Sequence, residues 1–202
     1  MKNSVKMVLT AMIVASAGLV HAAEFPLRVD IDVSTKRDSR MLGAGNQGEA
    51  KVDHVQVLVK IRKDGGQPYT DPLTAELYVI GKQIQTGYLG IIDVVKKGFT
   101  FSKDNDNTFK FSSKDYALGH TGGNITVGGV YETYLLVVVD KDGKEIATRS
   151  GRVIKPRGIE FIRELGPETL FDRDGNVVGK IDQAGRAFQR AVPAAVISTD
   201  DY

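Results

Sequence analysis

The sequence predicts an all-β protein built as a sandwich of antiparallel sheets. Short apolar runs with a period of two recur along the chain, separated by clusters of Gly, Pro, Asp and Asn that are typical of turns. No long segment with helical periodicity interrupts them between residues 26 and 153, whereas a parallel sheet would need one after each strand. About eight strands fit this region, which is the spacing of a sandwich.

The clearest element is a hairpin between Val130 and Val153. Val130–Val139 is rich in Tyr, Leu and Val and contains no Gly or Pro, and Leu135–Val139 is apolar on both alternating faces. We therefore predict a central strand that is covered on both sides. Asp140-Lys-Asp-Gly143 predicts the turn, in which the glycine supplies the positive φ that closes the loop. The second strand alternates less clearly and is expected to be more exposed.

Two strands that bury one face precede this hairpin. They are Phe25–Ser34 and Lys51–Lys63, and residues 35–50, which are polar and rich in Gly, predict a long exposed loop between them. The buried positions are expected to be Leu27, Val29, Ile31 and Val33 in the first strand and Val55, Val57, Val59 and Ile61 in the second.

The middle of the chain predicts four more strands. Leu73–Ile80 and Tyr88–Val95 are the first two. Gly98–Ser102 and Thr108–Ser112 flank a polar turn, and each carries Phe at alternating positions, so we predict a second hairpin. Ser113–Gly129 contains four glycines and predicts a loop with a possible short strand at Asn124–Val127.

The character of the chain changes after the sandwich, whose expected range is residues 25–153. Lys155–Gly158 predicts a boundary, and Ile159–Leu165 predicts a short helix that ends before Gly-Pro. Two ten-residue segments with a similar pattern follow, Phe171–Lys180 and Ile181–Arg190, and they predict short hairpins. Together, residues 157–190 form an expected β-rich appendage that packs on the sandwich or on a partner, and residues 191–202 are expected to be a flexible tail.

The first 22 residues have the pattern of a secretory signal. Lys2 and Lys6 precede an uncharged, mostly apolar run, Met7–Val20, and Val20-His21-Ala22 offers small or acceptable residues for cleavage before Ala23. The run is 14 residues long, which is shorter than the roughly 20 residues of a membrane-spanning helix. The alternative is an uncleaved N-terminal anchor. We expect a periplasmic or secreted protein without an integral membrane segment after cleavage.

Charge and cysteine content narrow the classes of function. The chain has 27 basic and 25 acidic residues, and removal of Lys2 and Lys6 with the signal leaves 25 of each. This balance gives no electrostatic reason to expect nucleic-acid binding. The chain has no Cys, so an exported form is stabilised by burial rather than by disulfides.

Candidate cation sites fit turns better than metal loops. In Asp140-x-Asp-Gly143 and Asp172-x-Asp-Gly175, aligning the glycine with position 6 of an EF-hand loop leaves positions 1 and 12 without acidic ligands. Positions 1 and 12 would be Val138 and Arg149 in the first case, and Leu170 and Ile181 in the second. Asp104 and Asp106 are likewise interpreted as a polar hairpin tip, with a weak divalent cation site as the alternative.

Other motifs of catalysis or cofactor binding are incomplete. The mature chain has two histidines, His54 in a strand and His120 in an expected glycine-rich loop, which are too few for a typical zinc site without Cys. There is no G-x-S-x-G motif, no phosphate loop, and no helix after the glycines at 43, 45 and 48. Six tyrosines could form a carbohydrate platform, although Trp is absent and core or sheet-edge positions fit them better. These are Tyr69, Tyr78, Tyr88, Tyr116, Tyr131 and Tyr134.

The run Tyr131–Ser150, Y-E-T-Y-L-L-V-V-V-D-K-D-G-K-E-I-A-T-R-S, resembles the last hairpin of uncharacterised exported bacterial proteins with an immunoglobulin-like sandwich. The resemblance covers residues 25–153 and implies that fold and an exported location. It implies no activity, because fold alone does not determine function. The chain lacks the paired Cys and the buried Trp of antibody domains.

These patterns lead to one working hypothesis of function. We expect a non-catalytic binding or structural module of the cell envelope with a protein partner, and we assign no catalytic, cofactor-binding or metal-binding residues. The alternatives are a secreted hydrolase that uses His120 and loop carboxylates, and a carbohydrate-binding module. We expect the Gly-rich loops at residues 35–50 and 113–129 and the C-terminal repeat to carry the function.

The signal-peptide hypothesis makes a direct prediction. When the protein is expressed with its own leader in a bacterial host, the exported form should begin at or near Ala23, because Val20-His21-Ala22 is acceptable to signal peptidase. N-terminal sequencing and intact mass spectrometry of the periplasmic fraction measure this. An exported form that retains Met1 and stays in the membrane fraction would show that the segment is an anchor.

Overall fold

The computed structural model describes residues 27–42, 48–64, 69–122, 128–152, 158–167 and 169–180. Within these ranges the chain forms ten strands and one short α-helix, with a turn of 3-10 helix at Lys103–Asn105. The strands are β1 (Arg28–Leu42), β2 (Gly48–Arg62), β3 (Leu73–Gln83), β4 (Leu89–Phe99), β5 (Thr108–Ser112), β6 (Tyr116–Gly122), β7 (Gly129–Val139), β8 (Glu145–Ser150), β9 (Thr169–Phe171) and β10 (Val177–Lys180), and the helix is α1 (Gly158–Glu164).

All strand pairs are antiparallel and form two sheets. In sheet I, the long strand β2 pairs with β1 along one side, and with β6 and β5 in succession along the other. Sheet II has the order β10-β9-β4-β3-β7-β8. The all-β, antiparallel, sandwich-like fold predicted from the sequence is therefore confirmed.

The main core lies between the two sheets. The alternating residues of β2 point into it, and Val57 and Ile61 are completely buried. Residues of β3 and β7 with the same orientation meet them from sheet II. The fully or nearly fully buried members of this core are Leu27, Val57, Val59, Ile61, Leu73, Ala75, Leu77, Val79, Phe99, Leu136 and Val138.

A second core covers the opposite face of sheet II. The helix α1 lies against this face, and its Ile162 is completely buried. Because β3 and β7 contribute alternate residues to the two cores, both strands are apolar on both faces. The buried members of the second core are Tyr78, Ile80, Ile91, Leu135, Val137, Val139, Ile162, Leu165 and Phe171.

The hairpin predicted at Val130–Val153 is confirmed. β7 lies between β3 and β8, and Leu135, Leu136, Val137 and Val138 are all completely buried. The turn closes through Gly143, which has a φ of 79°, while β8 is the exposed edge strand. The central, two-sided character of the first strand thus follows from its unbroken apolar run.

The prediction of a loop at residues 35–50 is wrong for most of that range. β1 continues to Leu42 and β2 begins at Gly48, so strand residues occupy both ends of the expected loop. Arg37 and Asp53 are direct partners in the ladder and form two side-chain hydrogen bonds, of 2.6 and 3.1 Å. Polar cross-strand pairs stabilise the ends of β1 and β2 that extend into the expected loop. An alternation of apolar residues does not reveal such pairs.

The predicted hairpin at Gly98–Ser112 is also wrong. β4 ends at Phe99 in sheet II, whereas Thr108–Ser112 forms β5, which pairs with β2 in sheet I. The connection therefore crosses from one sheet to the other. The rings of Phe99 and Phe109 stack with centroids 4.3 Å apart, because both strands direct their aromatic residues into the shared core.

The loop predicted at Ser113–Gly129 contains a strand. Tyr116–Gly122 forms β6, which pairs with the first half of β2. His120 therefore lies in a strand opposite Lys51 and not in a glycine-rich loop. The possible strand at Asn124–Val127 lies outside the described residues.

The C-terminal elements are joined to the sandwich. α1 confirms the helix predicted at Ile159–Leu165. The hairpin predicted at Phe171–Lys180 is formed by β9 and β10, and it begins two residues earlier, at Thr169. β9 pairs with β4 and extends sheet II. The signal segment 1–22, the second repeat 181–190 and the tail 191–202 lie outside the described residues, and the domain boundary before α1 stays a prediction.

The core between the sheets makes a stability prediction. Leu136→Ala should lower the free energy of unfolding by about 2–5 kcal/mol, because it leaves a cavity in a closely packed core. Val177→Ala also removes aliphatic carbons, but Val177 is 58% exposed. The free energy of unfolding should therefore change by no more than about 0.5 kcal/mol. Urea denaturation followed by circular dichroism measures both variants. Equal losses would contradict the packing described here.

Candidate functional site

His120 faces the interior of the sandwich at one end of sheet I. Its Nδ1 lies 4.0 Å from Asp53 Oδ2, and both side chains are about seven-eighths buried. Asp53 also accepts both hydrogen bonds from Arg37. The hydrogen bond from Arg37 holds the pKa of Asp53 below its ordinary value against the opposing effect of burial, with help from the charges of His120 and Lys51.

His54 lies on the outer face of the same sheet. Its Nε2 is 3.6 Å from Asp38 Oδ2 and its Nδ1 is 3.7 Å from Asp115 Oδ1. A groove of about 360 Å³ is lined by His54, Asp115 and three polar side chains of β1 and β2. All three members of this cluster are well exposed.

The two histidines cannot serve one catalytic site, because they lie on opposite faces of sheet I. His120 shares the orientation of the buried Leu118, whereas His54 alternates with the buried Val55. The hydrolase hypothesis predicted that His120 would meet loop carboxylates. The carboxylate beside it is instead Asp53 of β2, which is engaged by Arg37.

The two Asp-x-Asp-Gly segments form matching turns. Asp140 Oδ1 accepts hydrogen bonds from the backbone N–H groups of Asp142 (2.9 Å) and Lys144 (2.8 Å). Asp172 Oδ1 accepts the equivalent pair from Asp174 and Asn176, at the same distances. The carboxylates therefore stabilise their own turns, as the sequence interpretation expected. Within the described ranges, no group of three or more acidic or histidine side chains is placed to hold a metal ion.

The tyrosines contribute to packing more than to a surface. All six that the sequence singled out are buried or half-buried, and Tyr78 is only 1% exposed. Tyr116 of sheet I is hydrogen-bonded to Asp93 of sheet II, and burial followed by this bond raises the pKa of Tyr116. Such positions leave the rings poorly placed to stack on a sugar.

Sequence reasoning did not identify the most deeply buried charged cluster. Glu76 of β3 is 6% exposed and points toward α1. It accepts hydrogen bonds from Arg163 Nε of the helix (2.9 Å), Lys96 Nζ of β4 (3.1 Å) and the Tyr78 hydroxyl (3.0 Å). An acidic residue within an otherwise apolar strand is the signal that could have revealed it, since a buried charge needs partners.

The cluster around Glu76 attaches α1 to sheet II. Burial alone would raise the pKa of Glu76, but the hydrogen bonds from Arg163, Lys96 and Tyr78 outweigh it and lower the pKa. Burial and the neighbouring carboxylate raise the pKa of Tyr78 to about 12. This cluster therefore acts as a structural anchor between α1 and sheet II.

The last described strand of the C-terminal region, β10, forms an exposed apolar edge. β10 is the last strand of sheet II in the described part of the chain. Val177 is 58% exposed and Val178 is 42% exposed. The pairing of β10 with β9 shifts register between Val177 and Gly179, so the edge presents two neighbouring apolar side chains at a β-bulge.

Comparisons with known proteins provide no family for this chain. No protein-family profile matches it, and no curated protein matches it. A crystal structure from Akkermansia muciniphila is similar to the chain with a TM-score of 0.25 and 12% identity, over 74% of this chain and 86% of that one. In the described ranges, no helix is long and apolar enough to cross a membrane.

The Glu76 cluster makes a pH-dependent prediction. Arg163→Leu should lower the free energy of unfolding by about 1.5–3 kcal/mol at pH 7, because it removes a charged hydrogen bond from a buried carboxylate. The folded-state pKa of Glu76 is lowered. The stability that the ionised Glu76 contributes to the fold is therefore complete above the unfolded-state pKa of its carboxyl group, about 4.3. It is lost as the pH falls through the folded-state pKa.

The difference between wild type and Arg163→Leu should therefore shrink below about pH 4. Denaturant titrations from pH 7 to pH 3 measure it. Arg149→Leu, on the exposed edge strand β8, is the matched control and should change stability by no more than about 0.5 kcal/mol. A loss for Arg163→Leu that is independent of pH would contradict the assigned role of Glu76.

Proposed function

We propose that this chain is an exported, non-catalytic binding module of the cell envelope, with an immunoglobulin-like sandwich, and that it binds an extended strand of a partner protein at β10. The observation that carries the proposal is the exposed apolar edge formed by Val177 and Val178. The module would add a strand of its partner to sheet II.

The chemistry of an edge strand supports this mode of binding. Unpaired backbone N–H and C=O groups at a sheet edge can pair with another chain, and folded proteins usually protect such edges with charge, Pro, a β-bulge or a covering element. β10 has a bulge between Val177 and Gly179, but Val177 and Val178 carry no charge and are 58% and 42% exposed. Main-chain hydrogen bonds would supply affinity, and pockets for alternate side chains would supply specificity.

The remaining polar groups support a non-catalytic role. Four carboxylates accept structural hydrogen bonds, and these are Asp53 beside His120, Asp140 and Asp172 in the two turns, and Glu76 on β3. A general base or nucleophile needs a group within hydrogen-bond reach of a substrate. The cluster around His54 is exposed to solvent, where contacts between polar side chains contribute little.

Truncation would not test this proposal cleanly. Removal of residues 157–202 would take Ile162 and Phe171 out of the second core, so a loss of binding could reflect a loss of folding. Point substitutions at Val177 and Val178 change exposed side chains and preserve that core.

The proposal predicts site-specific cross-linking in the native envelope. A photoreactive amino acid at Val177 should form one discrete adduct with a partner protein, and Val178→Lys should reduce its yield about tenfold because a charge on the edge opposes strand addition. Immunoblotting measures the yield, and mass spectrometry locates the linked residue on the partner.

The same photoreactive residue at Leu58, which is 40% exposed on sheet I, is the matched control. It should not produce that adduct. An adduct of equal yield from Leu58, or a yield from Val177 that Val178→Lys leaves unchanged, would show that β10 is not the contact edge.

A further inference from the structure

Two hairpins of sheet II share one turn geometry. In each of them an Asp is followed three residues later by a Gly, at Asp140–Gly143 between β7 and β8 and at Asp172–Gly175 between β9 and β10. The Asp carboxylate accepts hydrogen bonds from the second and the fourth backbone N–H group after it. The glycine has a φ of 79° in one turn and 80° in the other. The same spacing of residues therefore forms the same turn twice.

The two hairpins also share their strand register. The residue before the Asp pairs with the fifth residue after it, and the preceding residue pairs with the seventh, so the sixth lies at a bulge in both hairpins. The pairs are Val139 with Glu145 and Val138 with Ala147 in one hairpin, and Phe171 with Val177 and Leu170 with Gly179 in the other. Since turn type and loop length fix the register of a hairpin, this turn determines how the strand after it is aligned.

The same spacing occurs a third time directly after β10, at Asp182–Gly185. The residue before the Asp is again apolar, and here it is Ile181. The register shared by the two described hairpins pairs Ile181 with Ala187, and Lys180 with Gln189. The strand after the third turn is thereby aligned with β10.

Continued along β10, this register reaches the exposed edge. It places Ala191 opposite Val178, and Val192 opposite Val177, so each exposed valine receives an apolar partner. Pairing also uses the backbone groups at the free edge of β10. Pro193, which has no backbone N–H to donate, is the first residue beyond the pair with Val177, where β10 begins. The length of the segment before Pro193 therefore matches the length of β10.

We propose that residues 187–192 of the same chain pair with β10 and protect its edge until the strand of a partner protein displaces them. Displacement by a partner rests on the function proposed above, whereas the contact within the chain does not. A short connection gives residues 187–192 an effective concentration of about millimolar or more at β10. A partner's strand has to bind more tightly than this, so weakly binding strands are excluded.

Disulfide trapping tests the contact, because the chain has no Cys of its own. The mature protein carries Val178→Cys with Ala191→Cys, which the register places directly opposite each other and within disulfide distance. The matched control is Val178→Cys with Val192→Cys, in which the second side chain points to the other face. Under mild oxidation, the 178/191 pair should form an intramolecular disulfide at least about tenfold faster than the 178/192 pair. Peptide mass spectrometry measures both rates.

A substitution in the third turn tests whether the turn aligns this strand. Gly143 and Gly175 have positive φ at the equivalent position, which a β-branched residue adopts only with strain. Gly185→Val should therefore slow trapping of the 178/191 pair about tenfold. Gln183→Val introduces the same side chain where both described turns have an exposed, positively charged residue outside the positive-φ region. It should leave the trapping rate unchanged.

The photo-cross-linking assay at Val177 tests displacement. Gly185→Val should increase the yield of the partner adduct, because it weakens the competing strand. In the 178/191 cysteine variant, oxidation should nearly abolish the adduct and reduction should restore it. Equal yields from the oxidised and reduced forms would overturn displacement by a partner.

Two results would overturn the contact within the chain. They are equal trapping rates for the two cysteine pairs, and a 178/191 disulfide that links two molecules, which would assign the edge to a second copy. Fast intramolecular trapping without a partner adduct from any variant would support this contact and overturn the function proposed for β10. A partner adduct without preferential trapping would support that function and overturn the role of residues 187–192.

Discussion

Strands β3 and β7 are buried on both faces, and the other elements of the structure cover those two faces. Leu77 and Leu136 point toward sheet I, whereas Tyr78 and Leu135 point toward α1. Apolar surface on both sides of a sheet has to be removed from water on both sides. Sheet I provides one cover, and the C-terminal helix with β9 provides the other, so the segment after the sandwich completes the second core.

The second cover depends on a polar contact as well as on apolar packing. A helix of seven residues is too short to be stable alone, and α1 is fixed by Ile162 and by the hydrogen bond from Arg163 to Glu76. Among the described residues, this arrangement leaves uncovered the outer face of sheet I and the edge strands β8 and β10. The proposed contact with a strand of a partner protein uses one of these edges.

Prediction from the sequence succeeded where burial follows a simple period. The alternation at Val55–Ile61 and the unbroken run at Leu135–Val139 identified the one-sided and two-sided strands. It failed at Thr108–Ser112, because alternating Phe residues indicate which face is buried and do not indicate which strand is the partner. It also failed at the polar ends of β1 and β2, where cross-strand charge pairs replace apolar alternation.

The sequence by itself determined that the chain is all-β, where the central hairpin turns, and which residues of β2 and β7 are buried, since these depend on local periodicity and turn chemistry. In the first strand it identified the buried face, on which Leu27 is buried and Val29, Ile31 and Val33 are half-buried. Only the tertiary structure decided the strand partners and the positions of charged groups relative to one another. Lys60 and Lys110 are 50 positions apart in the chain and become neighbours through the ladder between β2 and β5. Such long-range pairing depends on the packing of the whole sandwich. It produces no local sequence pattern from which the strand partner could be predicted.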